Sequence, residues 1–513
     1  MGTPITGSKA AITFTVMTAS LMALVDITIV NVALNDIRAA FGTPLDQIGW
    51  VSTGYMMANI VVIPMTGWFQ RRFGYRRYFA VSILVFTAAS VLCGMAWSLP
   101  SLVAFRALQG LGGGAIMPTS QAILFARYPR EQHGTAAALM GLGAVTGPLL
   151  GPTIGGYLID WSSWHWVFLV NVPLGLLAAY MALRSIEEPG FEPSRAPIDK
   201  FGIGLLAVGM ASLQYVLEEG NRDGWFESRT ITVLAAVAAI ALITFLVHEL
   251  ETDHPVVDLR VFANRTYAAG TGINFLLGMT LFAGNFLFAL YCGAVMRYSA
   301  LDIGHVFLVS GSIQLVLLPL VGRIVGKVDT RLLLTTGILG VALSLWMNAH
   351  LTDQAGFWNL THPMLIRAAG MSLIFIPVSI LALSDLPHQQ RGNATGLFNL
   401  TRELGGSLGT AWMGFLVERG TVIHGSYLRE AITPQSPVVQ EQLAAIRATL
   451  GAQTWTQELV PETVLALKVR LQALILSFNQ GFAQATLVFL AALVLVALLK
   501  RPRGAAPAAP GAH

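Results

Sequence analysis

The sequence predicts an all-α integral membrane protein that crosses a lipid bilayer many times. Hydrophobic residues make up 54% of the 513 residues and charged residues only 11%, and the mean hydropathy is +0.64. A soluble chain carries about twice that share of charged residues. Apolar windows of about 20 residues, long enough to cross a bilayer as a helix, recur along the chain.

Fourteen such windows are predicted, so both termini lie on the same side of the membrane. With the termini in the cytoplasm, the inner segments hold 19 of the 31 Lys and Arg residues, as the positive-inside rule expects for cytoplasmic loops. The basic pI therefore reflects the orientation of the chain in the membrane and does not indicate nucleic-acid binding. The windows lie at 12–34, 47–69, 78–97, 101–126, 135–159, 166–186, 200–218, 229–249, 267–291, 303–325, 332–350, 362–383, 394–417 and 471–499.

Two segments indicate an internal repeat. GWFQRRFGYRRYF (67–79) follows the second window, and GRIVGKVDTRLLL (322–334) follows the tenth. Both place a glycine at a helix end, then a short basic turn, then another helix. The spacing predicts six-helix bundles at 1–186 and 266–513 with an extra helix pair at 187–265, an organisation typical of secondary transporters.

One predicted periplasmic loop, at about 418–470, is unusually long. Its segments VVQEQLAAIRATLGAQ and PETVLALKVRLQALILSF show helical apolar spacing with charged faces. The loop forms either surface helices that cap the last two membrane helices or a docking surface for a periplasmic partner.

Asp26 lies in the middle of the first window, in LMALVDITIVNVAL, and Thr28 and Asn31 extend a polar patch along that helix. An ionisable side chain at the bilayer centre costs several kcal/mol, so it needs a reason to be there. Burial disfavours the charged carboxylate, which makes Asp26 a candidate for proton uptake and release. The alternative is a structural ion pair or hydrogen-bond anchor.

Basic side chains also occur in the windows. Arg106 lies early in the fourth window with Gln109 in the next turn, and it either modulates a nearby carboxyl group or acts as a structural clamp. Arg402 and Glu403 lie near the start of the thirteenth window. Arg367 opens the twelfth window close to the outer face, where we expect its side chain to extend to the membrane surface.

The fifth window contains GLGAVTGPLLGPTIGG, in which glycines recur every fourth residue and form a ridge without side chains. Such a ridge is either a close helix-packing face or a functional hinge. Taken together with Asp26, Arg106 and the charge-sorted loops, the ridge is predicted to be a hinge face at the interface between the two bundles, with two prolines limiting how it bends. The ridge is Gly143, Gly147, Gly151 and Gly155, and the prolines are Pro148 and Pro152.

The sequence contains none of the common motifs of metalloproteases, serine hydrolases or nucleotide-binding enzymes. There is no HExxH, GxSxG or Walker pattern, the glycines at 112–114 lack a phosphate-loop lysine, and no histidine pair in a window has metal-ligand spacing. We therefore expect no metal, no cofactor and no enzymatic activity. A membrane-embedded enzyme or sensor is a remote alternative.

Five motifs together resemble the fourteen-helix drug:proton antiporters of the major facilitator superfamily, in the EmrB branch, over essentially the whole chain. They are LVDITIVNVAL (24–34), RALQGLGGGAIMP (106–118), the glycine-rich GLGAVTGPLLGPTIGG, WHWVFLVNVPLG (164–175) and NLTRELGGSLGTA (399–411).

The resemblance implies a major facilitator fold, with two pseudo-symmetric six-helix bundles around a central cavity that opens alternately to each side. It implies proton coupling by Asp26, Arg106 and Glu403, and a glycine motif associated with exporters. The polar residues expected to line the substrate cavity are Thr28, Asn31, Gln109 and Arg402.

The loop after the second window departs from the family pattern GxLaDRxGR, because Arg71 occupies the acidic position. Gly67, Arg72 and Gly74 still fit it. We therefore expect packing and helix-end contacts, not a carboxylate, to hold the cytoplasmic gate closed.

The expected function is proton-driven export of hydrophobic, chemically varied compounds, with protons and the lipid bilayer as the other partners. The resemblance also implies a periplasmic adaptor (a membrane fusion protein) and an outer-membrane channel. The alternative is a narrow-specificity exporter of a metabolite or fatty acid.

Overall fold

The computed structural model describes residues 5–194, 197–298, 300–384, 386–432, 436–450 and 459–499. Within these ranges the chain is helical, and extended backbone pairs only in two isolated bridges, at Thr6 and at Val325. Ten helices in this part of the chain are long and apolar enough to cross a membrane. The protein is therefore a multi-pass helical membrane protein, as predicted.

The helices follow one another with short connections. The N-terminal helices are α1 (Lys9–Phe41), α2 (Leu45–Ile48), α3 (Trp50–Gly94), α4 (Leu99–Arg127), α5 (His133–Trp161), α6 (His165–Leu169) and α7 (Asn171–Ser185). Between the two groups lie α8 (Lys200–Glu219) and α9 (Arg229–Glu251). The C-terminal helices are α10 (Arg265–Ala294), α11 (Ala300–Ile324), α12 (Thr330–Asn348), α13 (Phe357–Ser384), α14 (His388–Ala431), α15 (Pro437–Leu450), α16 (Leu459–Leu490) and α17 (Ala492–Leu498). Short 3₁₀ turns lie at Arg130–Gln132, Trp225–Glu227 and Leu259–Ala263.

Every predicted window falls on a helix. The windows at 47–69 and 78–97 share α3, which is interrupted at Gly74, where φ is 77° and ψ is 163°. This backbone conformation is almost confined to glycine, so Gly74 lets the chain turn between two helical segments.

Local sequence explains several helix ends. The Ser98 hydroxyl accepts from the amide of Ser101 at the start of α4, with a proline in the first turn. The Asn264 side chain accepts from two amides at the start of α10. α1 ends at Gly42, whose φ of 61° is left-handed.

The same pairs of helices contact each other in both groups. α1 packs against α4, α5 and α7, and in the same way α10 packs against α13, α14 and α16. The extra helices α8 and α9 pack on each other, and α8 also contacts α3 and α14. This repetition is the structural counterpart of the sequence repeat.

The long loop is largely helical. α14 continues to Ala431, well past the predicted end of its window at 417, and α15 and the start of α16 cover the two predicted amphipathic segments. Residues 451–458 lie outside the described ranges. α15 packs against α16.

We predict that Gly74→Ala lowers the stability of the protein by about 1–3 kcal/mol, because a side chain disfavours this backbone conformation. A Cβ atom there would also lie 2.8 Å from Oε2 of Glu188. Thermal unfolding in detergent measures the effect. Gly156→Ala is the matched control, since a Cβ at that position meets nothing within 4 Å; equal unfolding of the two variants would contradict the prediction.

Candidate functional site

Asp26 and Arg106 form a buried ion pair between α1 and α4. The Nη1 atom of Arg106 lies 2.6 Å from Oδ2 of Asp26. The two residues are 0% and 1% exposed. A buried charge is tolerated only when it is paired and hydrogen-bonded, so each of these residues depends on the other.

Two amide side chains complete the environment of the carboxylate. Oδ1 of Asp26 accepts from Nε2 of Gln109 at 2.9 Å and from Nδ2 of Asn171 at 2.6 Å. The Gln109 carbonyl in turn accepts from Nη1 of Arg106 at 2.7 Å. Asp26 therefore accepts three hydrogen bonds from two helices, two from α4 and one from α7.

Ser90 of α3 links the same amides from the other side. Its hydroxyl oxygen accepts from Gln109 and Asn171, both at 3.0 Å, and its hydroxyl donates to the Phe168 carbonyl at 3.0 Å. Ser90 and Gln109 are 0% exposed and Asn171 is 1% exposed. We call Asp26, Ser90, Arg106, Gln109 and Asn171 the polar network.

The arginine has further partners on α3. Its Nε donates to the Val51 carbonyl at 3.2 Å, and its guanidinium lies 4.3 Å from the centre of the Tyr55 ring. A desolvated cation over an aromatic face gains about 2 kcal/mol or more. These contacts hold Arg106 in place on the side away from Asp26.

Sequence reasoning found Asp26, Arg106 and Gln109 but missed Ser90, Asn171 and Tyr55 as members of this site. Asn171 carried a usable signal, since it is a lone amide in the apolar stretch WHWVFLVNVPLG. Ser90 and Tyr55 are common in membrane helices, and only the packing of α3 against α4 shows their role.

Thr28 and Asn31 do not join the polar network. The Thr28 hydroxyl donates within α1 and lies 3.2 Å from the Gly147 carbonyl. Asn31 is exposed and accepts from the Ser52 hydroxyl at 3.3 Å.

The glycine ridge packs on α1, inside the N-terminal group. A Cβ at Gly147 would lie 2.5 Å from Cβ of Leu24, and a Cβ at Gly151 would overlap the Thr28 hydroxyl. The prediction that the ridge faces the other bundle is therefore wrong in this structure. The four-residue period defines which face of α5 is bare but not which neighbour that face meets. A Cβ at Gly143 would meet its nearest neighbour only at 3.8 Å, whereas one at Gly155 would meet Ile29. The side chains of Pro148 and Pro152 lie outside the described part of α5.

Other glycines form the contacts between the two groups of helices. A Cβ at Gly67 would lie 2.5 Å from Cα of Asn393, and a Cβ at Gly134 would overlap the Gly322 carbonyl. Between α4 and α14, the Asn399 amide donates to Oε1 of Gln121 at 2.8 Å. The two glycine contacts lie at the helix ends that the charge pattern predicts to be cytoplasmic, whereas the bond between Asn399 and Gln121 does not.

The loop around Gly74 is held by a carboxylate from another segment. Glu188 accepts from the amides of Tyr75 and Arg76, both at 2.9 Å, and so caps the second half of α3. Arg72 donates to the Ser194 carbonyl. These helix-end contacts use a carboxylate from another segment, Glu188, and the expectation about what closes the cytoplasmic gate stays a prediction.

Arg402 and Glu403 lie apart from the polar network. Nη2 of Arg402 donates to the side-chain Oδ1 of Asn399 at 3.0 Å and lies 3.8 Å from Oε1 of Glu403. The Glu403 side chain is 29% exposed, which differs from the full burial of Asp26.

Arg367 was expected to extend to the membrane surface, and that expectation is wrong. The residue is 5% exposed, and its Nη2 donates to the side-chain Oδ1 of Asn285 on α10. The guanidinium is held between helices because Gly284 leaves space for it beside α10.

No group of three or more His, Cys, Asp and Glu side chains among the described residues could hold a metal ion. The chemistry of the polar network is thus that of a carboxylate, a fixed cation and neutral amides.

Comparison with known proteins identifies the class of protein: the chain belongs to the Major Facilitator Superfamily, whose family model matches residues 16–410. It is 33% identical over 499 residues to the multidrug export protein EmrB of Haemophilus influenzae, with 97% of each chain covered. It is also 33% identical over 513 residues to EmrB of Escherichia coli K12, with 99% of each covered. Its fold is similar to that of the human organic anion transporter MFSD10, with a TM-score of 0.63 at 12% identity, over 96% of this chain and 100% of that one.

We predict that Gly151→Ala destabilises the α1–α5 contact by about 1–3 kcal/mol, as overpacking of a close helix pair does. Thr28→Ala removes the hydroxyl that the new methyl group meets, so the double variant should recover part of the loss. Thermal unfolding of the single and double variants measures this coupling. Purely additive effects would mean that the ridge does not pack on Thr28.

Proposed function

We propose that this protein is a proton-driven multidrug exporter that moves hydrophobic and amphipathic compounds out of the cell by alternating access. The observation that carries the proposal is the buried ion pair between Asp26 and Arg106. The similarity to EmrB multidrug export proteins over nearly the full length supports the direction and the breadth of transport.

The polar network provides a chemical basis for coupling. Protonation of Asp26 would remove its negative charge and turn one acceptor oxygen into a donor. Arg106 would then lose its counter-charge, and the amides of Gln109 and Asn171 would compete for fewer acceptor sites. An arrangement of α1, α4 and α7 that suits the anion therefore does not suit the acid, which is what a two-state transporter requires.

The contacts between the bundles support a state closed to the cytoplasm. Gly67 meets Asn393 and Gly134 meets Gly322 at the predicted cytoplasmic ends. In the proposed cycle, a proton from outside neutralises Asp26 as substrate leaves, and proton loss to the cytoplasm resets the transporter. Glu403 is a second proposed proton acceptor, since it is partly accessible and lies on α14 beside Arg402.

The proposed topology has fourteen membrane helices, cytoplasmic termini and a location in the bacterial inner membrane. α3 contributes two crossings, on either side of Gly74, and α6 with α7 contributes one. The bundles are 1–186 and 266–513, with α8 and α9 as the extra pair. The loop charges and the repeated helix contacts support this arrangement.

We predict that Asp26→Asn lowers proton-coupled dye efflux in everted vesicles at least about tenfold, because the neutral amide cannot exchange a proton. Asp36→Asn is the matched control: it makes the same change on the exposed surface of α1 and should leave efflux intact. Full efflux by Asp26→Asn would exclude this residue from coupling, and absence of dye efflux by the wild type would remove the proposed function.

We also propose that the helical extension beyond the membrane docks a periplasmic adaptor that connects to an outer-membrane channel. Large apolar side chains on it are exposed, with Val422 and Tyr427 both at 66% and Leu467 at 59%. Exposed apolar side chains grouped on one extension are typical of a protein interface. This observation favours docking over simple capping.

The docking proposal predicts that Val422→Glu combined with Tyr427→Glu reduces recovery of the adaptor in affinity purification by about tenfold or more. Glu430→Lys changes an exposed charge on the same helix and should leave recovery of the adaptor unchanged. Unchanged recovery with the double variant would place the adaptor elsewhere. Vesicle efflux by the double variant should persist, since the polar network is untouched.

A further inference from the structure

Arg367 lies on the helix of the C-terminal group whose packing corresponds to that of the Arg106 helix in the N-terminal group. Arg106 lies on α4, which packs on α1, and Arg367 lies on α13, which packs on α10 in the same way. Each arginine bonds to a residue of the first long helix of its own group: Arg106 to Asp26, and Arg367 to Asn285.

The two sites differ in charge. Asp26 neutralises Arg106, whereas Asn285 offers Arg367 only a neutral carbonyl oxygen. None of the ion pairs formed between described side chains involves Arg367. A guanidinium stays protonated in proteins, so Arg367 is a buried cation to which the described side chains offer no counter-charge.

The hydrogen bonding of the guanidinium is also incomplete among the described residues. Nη1 of Arg367 is buried and has no hydrogen-bond partner among the described residues. It lies beside Gly284, where a Cβ atom would come within 2.8 Å of it. Asn285, on the other side, is only partly buried, so the cation is one side chain away from accessible surface.

We propose that Arg367 is an anion-binding residue, and that a monovalent anion supplies the counter-charge that the C-terminal helices lack. Nη1 is the donor available to the anion. When the anion binds, Asn285 either releases its hydrogen bond to the guanidinium or keeps it beside the anion. The anion is either the carboxylate of an amphipathic substrate or a small inorganic ion, which share this chemistry. The substrate case deepens the proposed exporter function and depends on it, whereas binding itself does not.

The test compares decanoate with decanol, which have the same chain length but differ in charge, on purified protein in nanodiscs at neutral pH. We expect the wild type to bind decanoate about tenfold or more tightly than decanol, as a charge-assisted hydrogen bond provides. Arg367→Gln should bring the ratio close to one, and Arg367→Lys should keep part of it. A second arm replaces potassium sulfate by potassium chloride at equal ionic strength and measures thermal unfolding.

Substitutions at Asn285 separate the charge from the shape of the site. Asn285→Asp supplies an internal counter-charge and should abolish the preference for decanoate although Arg367 is intact. Asn285→Leu, of similar size, removes the same amide without adding charge and should keep the preference. This pair remains informative even if Arg367→Gln fails to fold.

A decanoate preference that depends on Arg367 supports a substrate carboxylate, and chloride stabilisation that depends on Arg367 supports an inorganic anion. Equal behaviour of wild type, Arg367→Gln and Asn285→Asp in both arms would overturn the proposal. Such a failure would leave proton-coupled efflux of a neutral dye by the wild type unaffected, so it is distinguishable from failure of the proposed function.

Discussion

A permanent cation inside an apolar helical bundle needs a negative partner, and that requirement organises the N-terminal half of this protein. Arg106 cannot discard its charge, so α4 must present it to Asp26 on α1. Once the pair forms, the remaining lone pairs and donors need partners as well. Gln109, Asn171 and Ser90 supply them from α4, α7 and α3. The relative placement of these helices therefore follows from satisfying one buried charge.

Close packing complements this polar centre. α1 is also the helix that carries Asp26. Gly147 and Gly151 let α5 approach it closely at Leu24 and Thr28. A different set, including Gly67 and Gly134, lets the two bundles meet. Contacts inside the N-terminal group thus combine an ion pair, hydrogen bonds and bare glycine faces. Contacts between the two groups combine close backbone approach with the hydrogen bond from Asn399 to Gln121.

The two halves repeat the arrangement of helices but not the charge. Arg106 is neutralised within the protein, whereas Arg367 meets only an amide. In the proposed cycle the N-terminal half exchanges a proton, whereas the C-terminal half keeps a buried arginine whose described partner is an amide. Pseudo-symmetry of the backbone therefore leaves room for different chemistry in each bundle.

Composition and period alone determined the helical membrane class, the positions of the apolar helices and the identity of the Asp26–Arg106 candidates, because the cost of polar groups in lipid acts on each segment separately. Helical spacing also identified the bare face of α5. Only the tertiary structure decided what that face meets and that Asn171 and Ser90 complete the polar network. It also decided that Arg367 is buried and has no carboxylate partner among the described residues. Those outcomes depend on which helices become neighbours, and a pattern within one helix carries no information about its partner.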